Sequence, residues 1–236
     1  MNRKGEPSQV SGKAMRLYYL TAEQWAKKVI HERRVKISLF DELNDPFELL
    51  PHHLPTRDHR KVAKILREHL ARQRGVICFS TNWQSPVMWA HYGHKHYGMC
   101  LGFDVPDELA MQINYEPERL NFDIDLSKFN AGLNADTVRS MLLTKFEAWR
   151  YENEYRVMAE LKDQDADGHY YADFGETLTL REVVIGVRCE TPQREVASWI
   201  GEIGHDVEIR KARLAFKRFK VVEQRMQPAI LAGSVR

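Results

Sequence analysis

The sequence predicts an α+β domain built on a mixed, mainly antiparallel β-sheet flanked by helices, and three observations carry that prediction. Strand-like and helix-like segments interleave along 236 residues without the strict alternation of a parallel βαβ array. The chain is 43% hydrophobic, enough for one sizeable core. "GMCLGFDV" (98–105) is apolar at both odd and even positions, as in a central strand covered on both faces. The expected limits are a disordered leader over 1–14, one domain over 15–223 and a C-terminal tail over 224–236.

Taken in order, "RLYYL" (16–20) reads as a strand, and Thr21 is placed to cap a helix over 22–33. "VKISLF" alternates as a second strand, then gives way to the proline-punctuated loop "DELNDPFELLPHHLP". From Arg57 a helix sets Val62, Ile65, Leu66 and Leu70 at helical spacing, with Gly75 placed to stop it. "VICFS" (76–80) is a strand, and Ser85 followed by Pro86 opens a two-turn helix that Gly93 ends. After the buried strand 98–105, "AMQINY" is a candidate partner for it. A helix over 135–149, capped by Asn134, presents Val138, Met141, Leu142, Phe146 and Trp149. "EYRVMAEL" (154–161) alternates between two chemically different faces, and "EVVIGV" is a further buried strand. A helix from Thr191 or Pro192 to Ile200 and the strands "DVEIR" and "LAFKRFKVV" complete the chain.

Net charge is only +2, so the chain is no polycation. Its charge is unevenly spread. Segments 57–74 and 209–220 are basic and are candidate nucleic-acid surfaces, while 114–127 is acidic. Cys78, Cys100 and Cys189 are odd in number and set in apolar runs, as expected of buried thiols in a reducing compartment. No apolar run reaches the ~18 residues of a membrane span, so the expectation is a cytoplasmic protein without membrane partners.

Four stretches bear chemistry. In "SPVMWAHYGHKHYG", His91, His94 and His96 share no face of any regular element, which argues against a metal site. Trp89, His91 and Tyr92 are instead the candidates for an aromatic ligand wall, with Met88 and Trp89 as core the alternative and His94 and His96 in the following turn. In "WRYENEYRV", Glu152 and Glu154 fall at an element junction where carboxylates can act as a base or face a developing cation; an ion pair between Glu154 and Arg156 that pins the strand is the alternative. In "FDELNDPFELL", Asn44 and Asp45 give a turn signature, and Asp45 and Glu48 are candidates to face a cleft. Ser80 and Thr81 end a buried strand with two hydroxyls that either bind a ligand or satisfy the backbone.

In this order, "LYYLT", "ISLFDELNDPFE", "VICFS", "MWAHYGHKHYGMCLGFD", "WRYENEYRV" and "EVVIGVRC" resemble the bacterial domain-of-unknown-function 2971 family over residues 16–222. Near the start this chain has "YYL" where that family carries a basic residue. The layout is also similar, more distantly, to NAD-consuming ADP-ribosyltransferases, including toxin and phage-defence types that modify nucleic acid. That resemblance implies Glu154 as the catalytic carboxylate and Glu152 as the acceptor-orienting one. It implies Ser80, Tyr92 and Tyr19 around the nicotinamide of NAD, with Arg16 or the Asn44–Asp45 loop near the phosphates. "FST" lacks the second serine of the usual triplet. Two other functions stay open: a non-enzymatic module binding nucleic acid or a partner through 57–74 and 209–220, and a metal-independent hydrolase or nuclease using Glu152 and Glu154 as acid and base.

Overall fold

The computed structural model describes residues 12–121 and 135–234. The leader up to Ser11, the candidate cap Asn134 and the acidic residues after Asn121 lie outside the described residues. β1 (Ala14–Thr21) leads into α1 (Glu23–Glu32), which buries Ala26, Val29 and Ile30 at helical spacing. Thr21 ends the strand and does not cap the helix; the cap position falls to Ala22, without a side-chain bond. β2 (Arg34–Ile37) is shorter than expected, because Phe40–Glu42 wind into a 3₁₀ turn.

α2 (Arg57–Gln73) starts at Thr56, whose hydroxyl accepts the His59 N–H at 3.2 Å. It buries Ala63, Leu66 and Leu70 and leaves Ile65 exposed. The helix passes straight into β3 (Arg74–Ser80), so Gly75 is a strand residue and no helix stop. A Cβ there would collide with the Ile37 side chain, so close approach explains the glycine. α3 (Pro86–His91) begins as expected, with Ser85 Oγ accepting the Met88 N–H at 3.4 Å. β4 (Met99–Pro106) is buried on both faces.

"AMQINY" divides into β5 (Met111–Gln112) and β6 (Asn114–Glu116), and neither pairs with β4. α4 covers only Ala135–Leu143. Thr144–Phe146 then forms β7, parallel to β6, and Glu147–Glu152 a 3₁₀ turn. The helix expected to Trp149 stops early because Lys145 is drawn into a buried carboxylate cluster, while Phe146 is left half exposed. The remaining elements are β8 (Glu154–Glu160), β9 (Tyr170–Asp173), β10 (Thr179–Ile185), α5 (Gln193–Ile200), β11 (Val207–Leu214), β12 (Val221–Glu223) and β13 (Ile230–Ala232). β13 pairs with β11, so part of the segment expected to be a tail contributes a strand to the sheet.

The large sheet runs β12-β11-β10-β4-β1-β3-β8-β5, with β13 also on β11. Among these pairs only β10–β11 is parallel, which makes the sheet mixed and mainly antiparallel. One face packs Leu17, Phe79, Phe103 and Val183 against α1 and α5. The opposite face packs Leu20, Cys100 and Val184 against Met88 and Trp89 of α3, and Val76 against Leu66 and Leu70 of α2. Between these two clusters that face turns polar. No helix among the described residues is long and apolar enough to cross a membrane.

Candidate functional site

Directly paired residues share a sheet face, and here they form a polar row. Glu154 lies opposite Ser80, Ser80 opposite Tyr18, Tyr18 opposite Gly102 and Gly102 opposite Glu182. Gly102 is required by space: an added Cβ would lie 3.2 Å from both the Tyr18 ring and the Arg16 side chain. A cleft of ≈ 250 Å³ opens over one end of the row, lined by Tyr18, Ser80, Tyr92, Lys145, Glu152 and Glu154, with Asn44 and Glu48 at its wall.

Five charged side chains form its floor. Arg156, 0% exposed, donates to Glu48 Oε2 at 3.0 Å and Oε1 at 2.6 Å, a bidentate pair. It also donates to Glu154 Oε1 at 2.7 Å and to the Leu142 carbonyl at 2.8 Å. Lys145 donates to Glu152 Oε2 at 2.7 Å and Glu154 Oε2 at 3.1 Å, and lies 3.8 Å from Glu48 Oε1. The Tyr92 hydroxyl donates to Glu152 Oε1 and accepts from Asn44 Nδ2 at 2.5 Å. The Tyr115 hydroxyl accepts the Glu154 backbone N–H at 2.8 Å. With three carboxylates against two cations, the fully ionised cluster carries one net negative charge.

These surroundings separate the two glutamates. Burial pushes Glu152 above the ordinary carboxylate value, and the bonds from Lys145 and Tyr92 only partly offset it. Burial also acts on Glu154, but the adjacent Arg156 and Lys145 charges outweigh it and hold Glu154 below the ordinary value. For Lys145 burial opposes the charge, yet the three carboxylates prevail and raise its pKa. Burial and the Glu152 charge make the Tyr92 phenol a weaker acid than usual.

The structure brings Glu152, Glu154, Ser80, Asn44 and Tyr92 to one cleft. Tyr19 borders it, but its ring lies on the other face, edge-on to Phe79 at 6.2 Å and packed in the main core. Strand alternation gives the place expected for Tyr19 to Tyr18, whose hydroxyl donates to Glu182 at 3.2 Å. Asp45 is an inward turn residue, its Oδ1 accepting the Phe47 N–H at 2.9 Å. Trp89 is fully buried and bonded through Nε1 to the Trp83 carbonyl at 2.6 Å, so it anchors α3 and cannot touch a ligand. His91 is exposed and stacks on Tyr151 at 5.9 Å, outside the cleft. Arg16 is on the cleft face two positions from Tyr18, engaged with Asp104 at 2.6 Å. His94, Lys95 and His96 make a left-handed turn, φ 47°, 53° and 73°, and His96 stacks on Trp89. Among the described residues, no group of three or more His, Cys, Asp or Glu is arranged to hold a metal ion.

Lys145 was beyond sequence reasoning, because "LLTKFEAW" reads as continuous helix and a buried lysine has no local signature. Arg156 and Glu48 carried a signal: a charged residue on a strand, and a glutamate in an otherwise apolar turn. Their pairing spans 108 residues.

A family model described as "Protein of unknown function (DUF2971)" matches residues 88–157, from α3 through the middle of β8. The matched part contains Tyr92, Lys145, Glu152, Glu154 and Arg156. No curated protein and no solved structure matches the chain.

Proposed function

We propose that the cleft is the active site of an NAD-consuming reaction of the ADP-ribosyltransferase type. The observation that carries this reading is the pair Glu152 and Glu154, which line one cleft and have proton affinities displaced in opposite directions. Carboxylates set apart in this way divide into a fixed charge and a proton carrier. Glu154, kept ionised by Arg156 and Lys145, faces the positive charge that develops on the ribose as the glycosidic C–N bond breaks and its electron pair leaves with nicotinamide. Glu152, bonded to Tyr92, takes the proton of the acceptor as the acceptor's oxygen or nitrogen bonds to the sugar.

Tyr18 and Tyr92 supply aromatic walls, and the excess negative charge of the cluster suits a cationic ring. Ser80 Oγ lies at the wall but is turned to its own chain, accepting the Asn82 N–H at 3.2 Å. At ≈ 250 Å³ the cleft lies near the small end of ligand sites, roughly 300–1,000 Å³, so it suits the nicotinamide–ribose end and leaves the rest of NAD outside. Such chemistry fits a toxin-like or phage-defence role, in which an attached ADP-ribose inactivates a target.

The test is nicotinamide release from NAD, with protein, DNA and RNA offered as acceptors. Glu154→Gln should abolish release, and Glu152→Gln should lower transfer by roughly 10²–10⁴-fold. Absence of release by the unaltered chain, together with no rise in its melting temperature on adding NAD, would falsify the reading.

A further inference from the structure

We propose that the tip of the β11–β12 hairpin is a binding surface for single-stranded nucleic acid. Phe216 and Phe219 are 92% and 99% exposed, at the turn where the hairpin reverses. The tip is structured: Ala215 N–H bonds to the Lys220 carbonyl at 2.9 Å, and Val221, in the last strand pair before the turn, donates its N–H to the Gln84 carbonyl at 2.9 Å. Two rings held in water on an ordered turn have no folding role; each offers a free aromatic face.

The charge around them is of one sign. Arg213, Lys217, Arg218 and Lys220 flank the two phenylalanines in the chain, and no carboxylate occurs between Arg213 and Val222. Lys217, Arg218 and Lys220 are exposed and form no ion pair among the described residues. The Arg213 guanidinium lies 4.8 Å from the centre of the Phe216 ring. By contrast, Arg210 and Lys211 in the same basic run are consumed inside the fold, by Glu182, Glu208 and Glu223 and by the Gly186 and Cys189 carbonyls. The available cations therefore cluster at the tip with the rings.

Exposed aromatics interleaved with cations match what a single strand presents: unstacked bases for the rings and phosphates for the cations. A lipid surface fits less well, because inserting both rings would drag Lys217 and Arg218 toward hydrocarbon. A second copy of this chain would bring like charges together.

Fluorescence anisotropy of labelled oligo(dT) and oligo(rU) with the full chain, between ~50 and ~200 mM salt, tests the proposal. Phe216→Ala and Phe219→Ala should each weaken binding at least roughly fivefold while leaving the salt slope intact. Lys217→Glu with Arg218→Glu should flatten the slope by about 0.7 per cation removed. Unchanged melting temperatures would confirm that these exposed changes leave the fold intact. No binding by the unaltered chain, indifference to loss of the rings, or equally tight binding of a duplex would overturn the proposal. So would capture by phosphatidylserine-containing vesicles with none by the oligonucleotides, which would assign the tip to a lipid surface.

Discussion

Replacing Arg156 by methionine should be among the most damaging single changes in this protein. The substitution keeps apolar bulk in the space under the cleft but removes a fully buried guanidinium that holds both oxygens of Glu48, Glu154 Oε1 and the Leu142 carbonyl. Three carboxylates then face Lys145 alone, and the cluster's net charge moves from −1 to −2. Breaking a buried pair by removing one partner costs about 3–5 kcal/mol, because the remaining charge is left desolvated and unpaired. At ~2–4 °C per kcal/mol for a chain of this size, the melting temperature should fall by roughly 6–20 °C.

Urea unfolding followed by circular dichroism measures the loss. Its pH dependence adds a second reading. In the unaltered chain Glu154 has a depressed pKa, so its stabilising contribution is full above the unfolded value and disappears as pH falls through the folded one. Without Arg156 that depression is lost, so the gap between variant and parent should stay constant above about pH 5 and narrow as pH falls below it. A loss under ~1 kcal/mol, the size expected of an exposed ion pair, would refute the view that the cluster is a buried, mutually dependent network.

Tyr92→Phe removes the bond to Glu152, one of the influences that lowers its pKa, so carboxyl NMR should show Glu152 titrating higher than in the parent. Because a raised carboxyl pKa stabilises the protonated folded state, the stability lost as pH rises through that value should be lost at higher pH in this variant. Ser85→Ala deletes the α3 cap and should cost about 1 kcal/mol in urea unfolding, against almost nothing for Ser85→Asp. Gly98→Ala places a Cβ against the backbone carbonyls of Thr21 and Gly93, which cannot rotate away; a loss of more than ~1 kcal/mol is expected, and a neutral result would contradict the close approach of α3's turn to β1.

Much of the secondary structure was legible because it rests on local signals. The double-sided apolarity of 98–105 marked β4 as a central strand, and it lies between β1 and β10 with both faces buried. Ser85–Pro86 marked the start of α3 for a purely local reason, a hydroxyl that accepts an orphan N–H. Local signals misled where tertiary demand was stronger. The pattern of 135–149 is helical as far as Trp149, yet the chain leaves the helix at Thr144, pairs with β6 and delivers Lys145 to the carboxylates.

For the candidate site, the residue types could be read directly from the chain: the ENE carboxylates, the aromatic run after Pro86 and the hydroxyls ending β3. The tertiary structure decided which of them meet. Strand parity sent Tyr19 into the core and Tyr18 to the cleft, and burial made Trp89 an anchor. Long-range pairing joined Glu48 to Arg156, and with Lys145 it separated the proton affinities of Glu152 and Glu154. The physical reason is that periodicity and capping act over a few residues, whereas a pKa or a ligand wall depends on charges and surfaces brought together by the whole sheet.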